Sequence, residues 1–249
     1  MNTISHSLSR LVHTVSFWLC LLLTVGAFSV LVKLGFWQLS RADEKQAMEA
    51  QLLARSQQPA ISFQQLAQQR NTSLTGVKVR ATLRPVADKY VLLDNQTYQG
   101  DVGYLAYQLV QSKEGIYFLL ERGFVPAADT RNQLPEVVWL AQSSPLTGRL
   151  YQRLENPLSH QLYLEPGIPH RIQNLNFAEL GHFWGVDLAP FAFQPVQTEW
   201  PYPQPWKPVP LGSQKHLGYA FQWFSMAFAL FVLSLWLLIR ACKQGEKNE

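Results

Sequence analysis

The sequence predicts a membrane protein in which two transmembrane helices form a hairpin around a mainly antiparallel, β-rich α+β extramembrane domain. Two long apolar segments near the chain ends, and a series of short strand-like segments between them, support this prediction. The predicted order is a tail at residues 1–10, a first span at 11–33, the β-rich domain with an N-terminal helix at 34–215, a second span at 216–240 and a tail at 241–249.

The second span is the clearer of the two. Leu217–Ile239 contains 23 residues without a charge, and a helix rising 1.5 Å per residue over that length covers about 34 Å, enough to cross a bilayer. On a helical wheel the predicted lipid-facing arc contains Leu217, Phe221, Phe224, Phe228, Phe231, Val232 and Leu235. The opposite side, predicted to contact a partner helix, contains His216, Gly218, Tyr219, Gln222, Trp223, Ser225, Met226 and Ala229.

The first span, Leu11–Val32, admits two interpretations. Ala27-Phe28-Ser29 is loosely similar to a signal-peptide cleavage site. The apolar run is nevertheless longer than the usual hydrophobic region of a signal peptide, which favours a retained anchor.

Charges near the spans bear on orientation. Cytoplasmic termini are favoured by Arg10 at one end and by Arg240, Lys243 and Lys247 at the other. Lys33, Arg41 and Lys45, in contrast, lie close to the first span on its other side.

The region between the spans has its own pattern. A helix is predicted from Ser40 to Pro59, followed by short β-branched and aromatic segments separated by turn residues. The predicted strands are Val77–Leu83, Tyr90–Asp94, Tyr104–Val110, Ile116–Glu121, Leu146–Tyr151, Gln161–Leu164 and Phe191–Val196, with a helical turn at Phe177–Gly181. The proline-rich stretch Trp200–Pro210 predicts a stiff extended lead into the second span.

Composition excludes several classes of function. Residues 33–215 carry 17 Lys or Arg against 15 Asp or Glu, dispersed without a basic run, which argues against nucleic acid as a partner. Cysteine occurs only at Cys20 and Cys242, so the domain between the spans holds neither a disulfide nor a thiolate metal site.

No sequence signature of an enzyme is present. Glu121-Arg122, with Asp94 and Asp101, is interpreted as solvated charge or a structural ion pair rather than acid–base machinery. The widely spaced His160, His170 and His182 are interpreted as surface or hydrogen-bonded histidines rather than metal ligands.

His216 stands at the start of the second span and has two interpretations. It either hydrogen-bonds at the membrane interface or provides an axial nitrogen to a haem iron, with Tyr219 and Trp223 on the same side lining the macrocycle.

Four motifs extend over essentially the whole chain: LGFWQLSRADEKQAM after the first span, GYLAYQLV…IYFLLERGFVP, SPLTGRL, and HLGYAFQWFSMA at the second span. In this order they resemble the surfeit-locus family of cytochrome c oxidase assembly factors. One phrase departs from the family pattern, because Glu121 and Phe124 stand where the family commonly has Asn and Trp.

The resemblance implies a non-enzymatic, multi-pass protein of the inner membrane, with its β-rich domain in the periplasm and both termini cytoplasmic. It further implies a role in bringing haem A to cytochrome c oxidase subunit I together with other assembly factors. His216 fills the position that the family associates with haem A, as cofactor-binding residue and metal ligand. The first motif is matched at Gly35, Trp37, Gln38 and Arg41, and these residues are expected to lie near His216.

Two alternatives remain open. A membrane-tethered scaffold would bind an envelope or oxidase protein through its β domain without a cofactor, and an anchored hydrolase would need acidic catalytic residues that the sequence does not bring together.

Overall fold

The computed structural model describes residues 15–68, 73–128, 130, 133–152 and 161–247. The helices are α1 (Val15–Gln57), α2 (Phe63–Gln68), α3 (Phe177–Trp184) and α4 (Ser213–Lys247). The strands are β1 (Lys78–Tyr98), β2 (Asp101–Gln111), β3 (Tyr117–Pro126), β4 (Ser144–Tyr151), β5 (His170–Ile172) and β6 (Leu188–Pro195). The predicted tail at 1–10, the start of the first span at 11–14 and His160 lie outside the described residues.

The chain divides into two units. The β unit comprises Gln51–Pro208, and the helical unit comprises the described residues up to Ala50 together with those from Val209 onward. Each of the two long helices of the helical unit contains an apolar window long enough to cross a membrane, with mean hydropathy of 2.3 in α1 and 2.0 in α4. The predicted class, a membrane protein with two spanning helices and a β-rich extramembrane domain, is confirmed.

Helix α1 runs without a break through the end of the predicted first span and the predicted start of a separate helix at Ser40. The expectation of two helices was wrong because nothing between Val15 and Gln57 interrupts the backbone. That stretch contains no proline, and the sequence after Ser40 is rich in Ala, Glu, Gln and Leu, which favour helix. Helix α1 ends two residues before Pro59, as the sequence predicts.

The β unit is built on a closed circuit of strands. β1 pairs with β2, β2 with β3, β3 with β6, β6 with β4, and β4 with β1. The 21-residue β1 pairs with two neighbours in this circuit: Lys78–Leu83 pairs with β4, and the rest of the strand pairs with β2. Its register shifts between Pro85 and Tyr90, where Asp88 has a φ of 57°. The result is a small barrel with no free edge among these five strands.

Two of the strand pairings are parallel, β3 with β6 and the short β5 with the outer part of β1. The remaining pairings are antiparallel, so the sheet is mainly antiparallel as predicted. Parallel neighbours require long crossover connections, and local sequence patterns do not indicate them.

The predicted strand Gln161–Leu164 is wrong. Tyr163 has a φ of 47°, which is incompatible with a regular strand. The Leu162 amide donates to the Glu179 carboxylate rather than to a strand ladder, at 2.9 Å. The strand in this region is β5, whereas β6 confirms the strand predicted at Phe191–Val196.

The strands carry a core on each face. Phe118 and Leu120 belong to one core and Leu119 to the other, because successive strand residues point in opposite directions. The first core receives Phe63 and Leu66 of α2. The second is covered by Leu180 and Trp184 of α3 and by Ile172 of β5.

Candidate functional site

His216 lies one turn into α4 and is only 7% exposed. Its Nδ1 atom is 2.7 Å from Oε1 of Gln38, a buried side chain of α1. A carbonyl oxygen accepts and does not donate, so Nδ1 carries the proton of the neutral ring and Nε2 keeps the lone pair. Among the described residues, none hydrogen-bonds to Nε2. This is the arrangement in which a protein fixes one imidazole nitrogen and presents the other as a ligand.

Small residues let α1 and α4 approach at this level. A Cβ added at Gly35 would lie 2.6 Å from the Phe224 ring, so only glycine leaves room for that ring. Ala220 and Ala227 on α4 are buried, as is Ala42 on α1. Close backbone approach through small residues is the usual basis of helix packing in membranes.

The first turn of α4 is held by Glu49 of α1. Its carboxylate accepts from the Ser213 backbone N–H at 2.9 Å and from the Ser213 hydroxyl at 2.7 Å. The amide groups of a first helical turn have no partner within the helix. A carboxylate there also interacts favourably with the helix dipole. Glu49 therefore fixes where α4 begins, one turn before His216.

Replacing Glu49 with Gln is expected to loosen the first turn of α4, because an amide cannot provide two charge-assisted acceptor oxygens. The measurement is hydrogen exchange of the Ser213 amide, which should become faster. Glu114→Gln, in the exposed turn between β2 and β3, removes the same charge elsewhere and should leave that exchange unchanged. Equal exchange in the wild type and Glu49→Gln would contradict this role.

The contact face of α4 differs from the predicted one. His216 lies on it and Trp223 is half-buried, but Tyr219 is 43% exposed. Phe224, predicted to face lipid, instead packs against Gly35 and Phe36, with the Phe36 and Phe224 ring centroids 5.3 Å apart. The prediction sorted residues by polarity, whereas the packing is decided by shape.

Most of the predicted partner face is therefore exposed. Its exposed members are Gly218, Tyr219, Gln222, Ser225, Met226 and Ala229. We call this surface of polar and small residues the open face of α4.

The other residues of the first motif lie on α1. Trp37 is half exposed, and the Arg41 guanidinium lies 5.9 Å from its ring centroid. Arg41 also bonds Glu44 at 2.5 Å. Gly35, Phe36 and Gln38 are thus motif residues that contact α4 directly, while Trp37 and Arg41 form a contact on α1 itself.

A second polar cluster lies in the β unit around Glu121 and Arg122. The β2–β3 register shifts so that Ala106 faces Gly123 and Tyr107 faces Glu121, which leaves Arg122 as the extra residue of a β-bulge. Both charged side chains are buried, 1% exposed for Glu121 and 3% for Arg122. Of the two interpretations of this pair, solvated charge is wrong, because the sheet is covered on both faces and both side chains lie inside the protein.

Buried partners satisfy the Glu121 carboxylate. It accepts from the Tyr107 hydroxyl at 3.2 Å and from Gln194 Nε2 at 2.8 Å. Gln194 Oε1 in turn accepts from Arg149 Nε at 2.7 Å. Sequence reasoning missed this chain of contacts; the available signal was a polar residue inside an apolar strand, as in FLLER and FAFQP.

The two arginines of this cluster stack on tryptophans. The Arg122 guanidinium lies 4.3 Å from the Trp200 ring centroid, and that of Arg149 lies 3.6 Å from the ring centroid of Trp206. Burial lowers the pKa of each arginine to about 10. Both therefore remain cationic at neutral pH.

The remaining candidate residues lie apart from both clusters. His170 Nδ1 is 3.1 Å from the Glu165 carbonyl oxygen, and its ring packs edge-on against Phe183. His182 is exposed on α3, and Asp94 bonds Gln173 at 3.1 Å. Within the described ranges, no three His, Cys, Asp or Glu side chains cluster to form a metal site.

The chain has two membrane-spanning helices, one before and one after a barrel domain, and a buried histidine of one helix is oriented by a glutamine of the other. These features define a membrane-anchored protein with a buried polar site between its two helices. The family model described as SURF1 family matches residues 25–228, and the chain belongs to this family. The family is one of cytochrome oxidase assembly factors.

Individual relatives cover nearly the whole chain. A SURF1-like protein of Rickettsia conorii is 24% identical over an alignment of 242 residues that covers 89% of this chain and 95% of the relative. A SURF1-like protein of Rickettsia felis is 25% identical over 223 residues, covering 85% and 93%. The family match at residues 25–228 therefore includes the β unit and part of each spanning helix.

Proposed function

We propose that this protein assists assembly of cytochrome c oxidase by holding haem A on His216 before its insertion into subunit I. The supporting observation is the buried His216–Gln38 hydrogen bond, which leaves Nε2 as the nitrogen with a free lone pair. In this proposal the protein lies in the inner membrane with the β unit in the periplasm, both termini in the cytoplasm, and other assembly factors as neighbours.

The residues at this site fit a haem as transient cargo. Haem iron takes an axial imidazole nitrogen, and the flat macrocycle requires apolar and aromatic walls. Trp223 and Tyr219 follow His216 by seven and three residues on the same helix, within one side of it. Their side chains would line the macrocycle. The bound haem would supply no chemistry for the protein beyond being delivered.

A direct experiment tests the proposal. The full-length protein is purified in detergent from cells that synthesise haem A, and its visible spectrum is recorded. We expect haem A to copurify and to show the spectrum of a histidine-ligated haem. Purification without haem A, and no spectral change on adding it, would contradict the proposal.

The role of Gln38 yields a separate prediction. Gln38→Leu removes the acceptor that keeps the proton on Nδ1, and loss of such an orienting partner typically weakens metal binding about 10- to 100-fold. We expect haem A affinity, measured by spectral titration, to fall by that factor. Gln222→Leu, on the open face of α4, is the matched control and should bind as the wild type does. Equal affinity in Gln38→Leu and the wild type would remove Gln38 from the site.

A second candidate function is a scaffold that binds an oxidase subunit or another envelope protein without a cofactor. The open face of α4 favours it, because Tyr219, Gln222 and Met226 are polar or large residues exposed on a spanning helix. Copurification of oxidase subunits with a haem-free protein, unchanged in a His216 variant, would select this function over haem handling.

A further inference from the structure

The β unit contains a surface cavity of about 530 Å³ between the end of β6 and the proline-rich segment that follows it. Its walls combine an apolar part, formed by Val196, Pro201 and Pro203 and the aromatic rings of Trp200 and Tyr202, with the polar side chains of Gln197, Thr198 and Gln204. Proline fixes its own backbone angle, so much of this wall is formed before any ligand binds. Arg149 is the one charged residue among the described lining residues.

The Arg149 side chain is held from two directions. Its Nε donates to Gln194 Oε1 at 2.7 Å, and the face of its guanidinium lies over Trp206. These contacts use one of the five N–H donors and one face of the group. Among the described residues, neither Nη nitrogen has a hydrogen-bond partner.

Gln194 is fixed in its turn. Its Nε2 donates to Glu121 Oε1 at 2.8 Å and to the Pro205 carbonyl oxygen at 3.0 Å. The amide oxygen is thereby turned towards Arg149. A buried carboxylate thus sets the position of a guanidinium at the cavity, through one intervening amide.

We infer that this cavity binds a carboxylate group carried on an apolar body, with the two Nη nitrogens of Arg149 as its bidentate donors. A planar guanidinium with both Nη groups free matches the two oxygens of a carboxylate. Because Arg149 already contacts Gln194 and the Trp206 ring, little of its side-chain freedom is lost when a ligand binds. The proline and aromatic wall contacts the apolar part of the ligand.

The charge of the cavity favours a carboxylate over a phosphate dianion. Glu121 contributes a negative charge close enough to Arg149 to oppose, in part, the burial that lowers the arginine pKa. A ligand with one negative charge therefore finds one available cation, whereas a second negative charge would be repelled by Glu121.

The test uses the full-length protein in detergent and isothermal titration calorimetry. The probes are 3-phenylpropionate and its neutral analogue 3-phenylpropionamide. We expect the acid to bind at least about tenfold more tightly than the amide. Equal binding of the two, or tighter binding of phenyl phosphate than of the acid, would overturn the assignment.

Variants locate the binding site. Arg149→Lys keeps the charge but loses the planar fork, and affinity for the acid should fall about tenfold or more. Arg80→Gln, an exposed arginine of β1, should bind as the wild type does. Far-UV circular dichroism checks folding, and Arg149→Gln is a second variant should Arg149→Lys misfold. Wild-type affinity in a folded Arg149 variant would overturn the proposal.

Two probes distinguish the possible sources of the carboxylate. Acetyl-Asp-Phe-amide presents an acidic peptide, and acetyl-Asn-Phe-amide is its neutral control. Peptide binding tighter than that of 3-phenylpropionate and dependent on the Asp supports an acidic segment of a partner protein as the ligand. Tighter binding of 3-phenylpropionate than of the acidic peptide supports a small-molecule acid as the ligand. Failure of both acids to bind would overturn the inference while leaving the haem proposal untouched.

Discussion

Replacing His216 with Ala is expected to abolish haem A binding and oxidase maturation while leaving the protein in the membrane. The side chain provides the proposed axial nitrogen, and its loss removes the ligand itself rather than an orienting group. We therefore expect affinity for haem A to fall by more than the roughly 10- to 100-fold that loss of an orienting partner causes. Spectral titration of the purified variant and the oxidase haem content of the membranes are the two readouts.

The His216 variant requires controls for folding. His216→Ala leaves the buried Gln38 amide without its partner, which costs about 1–3 kcal/mol. His216→Asn retains a hydrogen-bonding side chain at that position and should restore stability without restoring haem binding. His182→Ala removes an exposed histidine of α3 and should change neither. Normal haem content in a folded His216→Asn protein would exclude His216 as the ligand.

Replacing Gly123 with Ala is expected to destabilise the β unit strongly. Gly123 follows the bulge residue Arg122 and has a φ of 120°, a conformation that L side chains rarely adopt. A Cβ there would also lie 2.6 Å from the Pro203 carbonyl oxygen. That oxygen accepts from the Phe124 amide at 2.9 Å, so the two segments cannot separate without losing a hydrogen bond.

Backbone strain and steric overlap add in this variant, and together they amount to about 3 kcal/mol of unfolding free energy. Chemical unfolding of the detergent-solubilised protein, followed by tryptophan fluorescence, measures the loss. Gly115→Ala is the matched control, because Gly115 has a φ of 86° but no atom near its missing Cβ. It should lose only the strain contribution. Equal losses in the two variants would show that the contact with Pro203 contributes nothing.

The strands and their buried faces were predictable because alternation is a local property. Val79 and Leu83 are buried as the pattern around them requires, and the exposed Arg80 lies between them. Closure of the barrel was not predictable, since it depends on one long strand, β1, pairing with two others. The parallel pairing of β3 with β6 likewise joins segments far apart in sequence.

The histidine site was predictable in part. The family motifs brought Gln38 into the neighbourhood of His216, but only the geometry shows which nitrogen it contacts. The helical wheel failed at Phe224 because it ranks residues by polarity and takes no account of the groove that Gly35 opens. The Glu121–Gln194–Arg149 contacts escaped prediction because they join side chains of β3, β6 and β4, strands that are far apart in sequence and whose pairing no local pattern indicates.

The central claim is that His216 holds haem A through Nε2, with Nδ1 occupied by Gln38. Electron–nuclear double resonance on the haem A-loaded protein, with histidine labelled with ¹⁵N at Nε2 alone, tests it most directly. The claim predicts a strongly coupled ¹⁵N signal that is lost in His216→Ala and is absent when only Nδ1 is labelled. A strongly coupled signal from the Nδ1 label, or one that persists in His216→Ala, would contradict it.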